Sequence, residues 1–292
     1  MPHIAYIYTQ KRADKRLKHA SNIITKYNKR GNQALSQAKR TILLSIAEQY
    51  HTYLESNLDL HGYDDNTIIR RVALLNNYYD YIHNNGWDNA FDSRGKFRST
   101  ILEEFIYLLF KNYITDLRAG IQQDYRKNID TGAIKAYLNL FITGADFNSF
   151  IVNPSMNINT KDQDYAIYRK IKIKLGEQNE KTINVPCVAI EAKTYIDKTM
   201  LDTIIATAEK LKGGNPYTKF IAVAETYDVD LKVDPAYSRI DQIYVLRKSH
   251  PGANPVPPID SQLVCELFHE IKKHIESPWS DVSRKLPSGK IL

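Results

Sequence analysis

Two runs of alternating residues, the second closed by an acid-x-base tripeptide, constrain this chain most. From Tyr165 to Leu175 apolar residues alternate with polar or charged ones, the period of a half-buried strand. Ile183 to Lys193 is a second, largely apolar run, and the polar stretch Gly176 to Lys181 between them reads as a turn. Paired symmetrically about that turn, the runs form an antiparallel hairpin with Asp164 opposite Lys193 and Ala166 opposite Glu191. Side chains two positions apart share a face. Asp164, Glu191 and Lys193 therefore gather on one face at one end, and Tyr165, Ile167, Ile171, Ile173, Val188 and Ile190 line the other, the core face. A slip of one residue carries Asp164 to the wrong face. Pro186 predicts that regular pairing begins only after it.

Two carboxylates and a lysine at one end of a sheet suit a hard divalent cation, which takes oxygen ligands. The tripeptide Glu191-Ala192-Lys193 has look-alikes within the chain. Glu270-Ile271-Lys272 falls in a helical pattern, and Asp230-Leu231-Lys232 falls in a loop without a partner strand. Placement at a strand end, with an acid across the hairpin, separates Glu191 and Lys193 from both; the plain alternative is an exposed salt bridge on a two-stranded ribbon. Asp146, after Gly144-Ala145 and before the strand-like Phe147 to Val152, competes with Asp164 for the role of first acid. Asp162 shares the face of Asp164 but lies beyond the end of the pair.

The rest of the chain reads as helices, then a mixed α/β region. Helical spacing predicts helices over 11–30, 33–56 and 66–84. Loops around Asn84-Asn85-Gly86 and Ser93-Arg94-Gly95 divide a helical basic region, 1–95, from a second unit, 96–292. Within that unit Thr100 and Glu103 fit a capping box at a helix start, which leaves Glu104 free beside the stripe of Ile101, Phe105 and Leu108. A short apolar element over 133–142, the hairpin, a helix from Lys198 to Leu211, strands at Phe220–Ala224 and Ile240–Leu246, and a closing helix from Leu263 to Ile275 follow. Cys187 and Cys265 are isolated and read as buried free thiols, with no zinc spacing. No apolar run approaches the ~18 residues of a membrane span, and no secretory leader is expected.

The net charge of +7 makes an anionic partner plausible. Its distribution says more. Residues 10–40 hold ten Lys and Arg against one acid, Asp14. This is a solvated helical face or a phosphate-binding surface. Lys11, Arg12, Lys15 and Arg16 are the candidate DNA contacts there, joined by Lys198 and Arg247.

The pattern Asp, spacer, Glu-x-Lys resembles the PD-(D/E)XK nuclease superfamily, and the element order from residue 97 resembles its core. Three segments narrow the likeness: Arg98-Ser99-Thr100-Ile101-Leu102-Glu103-Glu104-Phe105, Lys161-Asp162-Gln163-Asp164, and Glu191-Ala192-Lys193 through Leu201. They are similar to a group of type II restriction endonucleases that includes the BbvCI type, over most of 97–250. The resemblance implies an α/β fold with a mixed central sheet flanked by helices, preceded by an all-helical region. It implies Mg²⁺-dependent cleavage of double-stranded DNA at a specific site, with Asp164, Glu191 and the Ala192 carbonyl holding the metal. Lys193 orients or deprotonates the attacking water, and Glu104 is a candidate supporting acid. It further implies a homodimer, or a heterodimer with a related catalytic subunit, in the cytoplasm of a cell with a restriction-modification system. A repair or recombination nuclease of the same fold and a non-catalytic DNA-binding protein are the rival readings.

Overall fold

Five α-helices open the chain in the computed structural model, which describes residues 2–91, 96–126, 128–174, 180–279 and 282–289. They are α1 (Pro2–Ala13), α2 (Lys18–Tyr27), α3 (Gln37–Leu58), α4 (Asp65–Asn84) and α5 (Lys96–Gly120). The single helix expected over 11–30 is thus two. Asp14 breaks it: its carboxylate accepts from the Arg16 amide at 3.1 Å and from the Tyr107 hydroxyl. A side chain that bonds its own backbone competes with helix continuation.

A short helix, α6 (Gln123–Arg126), leads into β1 (Ile129–Thr143). Next come α7 (Phe147–Val152), β2 (Ser155–Ile173), β3 (Lys181–Asp197), α8 (Lys198–Gly214), β4 (Lys219–Asp228) and β5 (Gln242–Val245). The chain closes with α9 (Ser261–Glu276) and α10 (Val282–Lys285). The sheet runs β1-β2-β3-β4-β5, antiparallel across β1/β2/β3 and parallel across β3/β4/β5. This is the mixed, helix-flanked sheet with an N-terminal helical region that the sequence leads one to expect. The turn-like Gly176–Lys181 falls mostly on 175–179, and the boundary loop at Ser93-Arg94-Gly95 on 92–95; both lie outside the described residues. Lys181 itself opens β3.

Each face of the sheet has its own core. Tyr165, Ile167, Val188, Ile190, Ile221 and Val223 join α5, the N-terminal helices and α9 in one continuous apolar cluster. Ala189, Ala222 and Ala224 face the other way, toward Leu201, Ile204, Ala208 and Leu211 of α8. Small side chains there let the helix lie close. Ile171, expected on the core face, is 36% exposed, because the turn end of the hairpin outruns the helices that cover its base. Among the described residues no helix is long and apolar enough to cross a membrane.

Three local expectations need correction. Phe147–Val152 is a helix, not a strand, because Asp146 caps it by accepting from the Ser149 amide at 2.7 Å. Thr100 lies inside α5, with its hydroxyl bonded back to the Phe97 carbonyl at 2.7 Å, so no capping box engages Glu103. Pairing does not wait for Pro186: it runs from Lys181 onward with Pro186 opposite Tyr168. The proline is tolerated because it sits at a bulge, and its carbonyl accepts from Thr218 Oγ1 at 2.8 Å.

Candidate active site

The bulge beside Pro186 sets the geometry of the site. Near the turn, Ile173 pairs with Lys181 and Ile171 with Ile183. Beyond Cys187, Ile167 pairs with Val188 and Tyr165 with Ile190. Cys187 is the extra residue. Had the first pairing continued, Asp164 would stand opposite Ile190, and Glu191 and Lys193 would lie on the other face from it. The one-residue shift sets it level with Glu191 instead, on the outer face. The symmetric reading put Asp164 opposite Lys193, two residues away, which is why it reached the same face.

Asp164, Glu191 and Lys193 meet there. Lys193 Nζ donates to Glu191 Oε1 at 2.7 Å and to Asp164 Oδ2 at 3.3 Å, and the Ala192 amide donates to Asp164 Oδ2 at 3.0 Å. The three side chains are only 14–27% exposed. Glu191 Oε2 is buried with no hydrogen-bond partner among the described residues. Burial and then the neighbouring Asp164 charge raise the Glu191 pKa above the ordinary carboxylate range, against the pull of Lys193 and Lys161. Burial disfavours the Lys193 ammonium, but the two carboxylates outweigh it and its pKa is raised. Lys193 is therefore held protonated. The sequence left the sign of that shift open.

Glu103, not Glu104, is the α5 acid that senses this cluster. Burial and then Asp164 push its carboxyl up, while Lys18 and Lys193 oppose them; Lys18 Nζ pairs with it directly. Glu104 turns away into the helical core. Its carboxylate accepts from the His19 amide at 2.8 Å, the Ala20 amide at 3.1 Å and Tyr50 Oη at 2.5 Å. Those amides open α2, whose N-cap, Leu17, has no side-chain acceptor to offer. Glu104 is the missing cap, supplied from another helix. Burial raises its pKa to about 7. The signals available in sequence were the Glu-Glu pair itself and Lys18, Lys161 in flanking segments; none says which acid faces which way.

The other candidates scatter. Asp146 caps α7, and Asp162 is exposed on the far stretch of β2, paired in register with Lys135. Arg12 and Lys15 are exposed. Lys11 Nζ is bonded to the Lys15 carbonyl. Arg16 is engaged by Asp14 at 2.9 Å and Asp130 at 3.2 Å and lies over the Tyr107 ring. Lys198, at the start of α8, pairs with Asp202 at 2.6 Å. Arg247 corrects the expectation most clearly: it is 4% exposed, with Nε 3.0 Å from Glu225. Arg98 shares that glutamate at 2.8 Å, and both guanidinium groups flank the Tyr79 ring. This Arg-Glu-Arg cluster, with Glu225 and Arg247 buried and Arg98 partly exposed, lines a cleft of about 580 Å³ that Thr194 and Tyr195, next on β3 after Lys193, also line. Among the described residues no group of three or more His, Cys, Asp or Glu converges as a metal cage.

The model of the family described as Bpu10I restriction endonuclease matches residues 94–254. That span contains α5 and the sheet, with Asp164, Glu191 and Lys193. No curated protein sequence matches the chain. Among solved structures, a chain of the native BbvCI A2B2 tetramer superposes with a TM-score of 0.65 at 20% identity, covering 90% of this chain and 96% of that one. At that identity the likeness establishes the shared fold.

Proposed function

We propose that this chain, which belongs to the Bpu10I restriction endonuclease family, hydrolyses double-stranded DNA at a specific short site through Asp164, Glu191 and Lys193, with Mg²⁺ as cofactor. Membership makes it a type II restriction endonuclease, a site-specific deoxyribonuclease. The metal's identity, the duplex site and the residue roles are the proposal's own. One observation carries them: the Lys193 ammonium bridges two carboxylates while Glu191 Oε2 is left buried and unpartnered.

An orphaned buried carboxylate oxygen costs free energy, and a cation would relieve it. The donors on hand fit a small hard ion: Asp164, Glu191 and the Ala192 carbonyl are all oxygen ligands. Mg²⁺ takes one or two carboxylates and keeps several waters, so a cage of three acids is not required. Bound there, it supplies Lewis-acid polarisation of the phosphate and a more acidic water.

The protein's own groups do the rest. Lys193, protonated, donates hydrogen bonds and positive charge toward the scissile phosphate or the attacking water. Asp164 is steadied by the Ala192 amide. Glu103 takes the supporting role expected of Glu104, and Lys18 and Lys161 add positive charge beside the acids. Arg12 and Lys15 contact the phosphate backbone; Lys11, Arg16, Lys198 and Arg247 are held by partners within the chain. Residues 1–95 serve as a basic packing unit on the nuclease core of 96–292. The similar BbvCI assembles as A2B2, and this chain works as a dimer, with itself or with a related catalytic subunit, in the cytoplasm.

Digestion of supercoiled plasmid tests the reading. Discrete fragments are expected with Mg²⁺, and none with EDTA or with Asp164→Asn. A smear, or full cleavage in EDTA, would overturn it.

A further inference from the structure

The far end of the β1/β2 ribbon is apolar on both faces. At the base of β1 exposure alternates, but over Asn139–Ile142 every residue is exposed. Leu140, Phe141 and Ile142 are 37%, 43% and 37% exposed. Helix α7 crowns the ribbon with Phe147 at 81%, Ile151 at 61% and Val152 at 74%. At roughly 150–200 Å² per large apolar side chain, these fractions leave about 600 Å² of exposed apolar surface on one tip. That reaches the upper end of the largest patch on an ordinary monomer.

The tip is also built rather than loose. Asn159 Nδ2 donates to Asn139 Oδ1 at 2.9 Å and Asn157 Nδ2 to Thr143 Oγ1 at 2.8 Å across the ribbon. Gly144 lies so close to α7 that a Cβ would sit 2.3 Å from the Phe150 amide. Neither 139–143 nor 155–160 pairs with a third strand among the described residues; the Met156 carbonyl accepts from Lys181 Nζ instead.

Charge decides the occupant. In a chain that is 25% charged, Ala136 to Thr160 contains one charged residue, Asp146, and its carboxylate is occupied capping α7. A surface for DNA needs cations; the segment Ala136–Thr160 supplies none, and the one that reaches it, Lys181, is bonded to the Met156 carbonyl. Charge selects unlike partners, whereas an uncharged apolar patch is complementary to itself in a two-fold contact. We infer that the ribbon tip is the contact through which two copies of this chain associate. Two tips bury about 1,200 Å², the lower bound of a specific interface.

This deepens the dimeric assembly proposed above and rests on it, but its readout does not depend on cleavage. Light scattering coupled to gel filtration would be run on the full chain, on Phe147→Asp/Val152→Asp, and on Leu140→Asn/Ile142→Asn. The wild type is expected to be dimeric at micromolar concentration. Each variant should weaken the dimer by about 100-fold or more with an unchanged circular dichroism spectrum. A wild type that stays monomeric, or a dimer equally tight in both folded variants, overturns the inference. If the dimer dissociates as expected but no preparation cuts plasmid, the proposed function fails and the interface stands. A variant that unfolds is read through the other, whose changes lie on the ribbon rather than on α7.

Discussion

Replacing Glu104 by Gln separates two opposed titrations in one buried cluster. Burial raises Glu104 from its ordinary 4.5 to about 7, and burial lowers His19 from 6.5 to about 3. The folded chain holds the Glu104 proton more tightly, so that contribution to stability is present below 4.5 and lost as pH rises through about 7. The His19 ring is bonded to Thr100 and Tyr78, each at 2.8 Å. Its contribution is present above 6.5 and lost as pH falls toward 3. Between pH 6.5 and 5 each changes by about 1.5–2 kcal/mol, in opposite directions, and together they nearly cancel. Glu104→Gln removes one and leaves the other. Urea unfolding of the variant should therefore lose about 1.5–2 kcal/mol more than the wild type over that interval. Taking the difference between the proteins removes every other titrating group. Identical pH slopes would refute the buried-cap assignment. Glu104→Ala tests it a second way: it leaves two amides and a hydroxyl without an acceptor, which costs on the order of 3–6 kcal/mol at pH 5.

Asp164→Asn should abolish Mg²⁺-dependent cleavage and leave the melting temperature close to that of the wild type, whereas Asp146→Asn, still a good cap, should cut normally; plasmid digestion alongside thermal melts reads both. Glu103→Gln should slow single-turnover cleavage by about tenfold or more, a loss of at least ~1.4 kcal/mol of transition-state stabilisation, while retaining specific DNA binding in a gel shift. Neutralising Arg12 and Lys15 should flatten the log–log salt dependence of DNA binding by about 0.9 for each phosphate no longer neutralised, without altering the fragment pattern; Arg16→Ala should instead lower stability, since its partners are Asp14 and Asp130. Arg247→Ala should destabilise by about 3 kcal/mol in urea titrations, because it strips one partner from buried Glu225.

The alternation of Tyr165–Leu175 and Ile183–Lys193 determined that a hairpin would form and that acids and lysine would lie at its open end. The period of two residues is a local property of extended chain, and the family motif rides on it. The helices were legible for the same reason, from apolar spacing. What the alternation could not determine was the register. The pairing is displaced by three residues near the turn and the bulge at Cys187 reduces this to two, an even number, so Asp164, Glu191 and Lys193 share a face in either account although their opposing pairs differ. Neighbours distant in sequence decided the rest. Glu103 and Glu104 are adjacent and chemically alike. One faces Lys18 and the sheet's acids, and the other caps α2, because successive residues on a helix point about 100° apart and α5 has different elements on either side. Arg247 looks like a DNA contact until Glu225 and Arg98 close around it. Asp146 looks like a metal ligand until the six residues beyond it coil into α7 and it caps them. Only packing decides which polar groups become buried, and a buried charge is assigned its role by the partner it finds there.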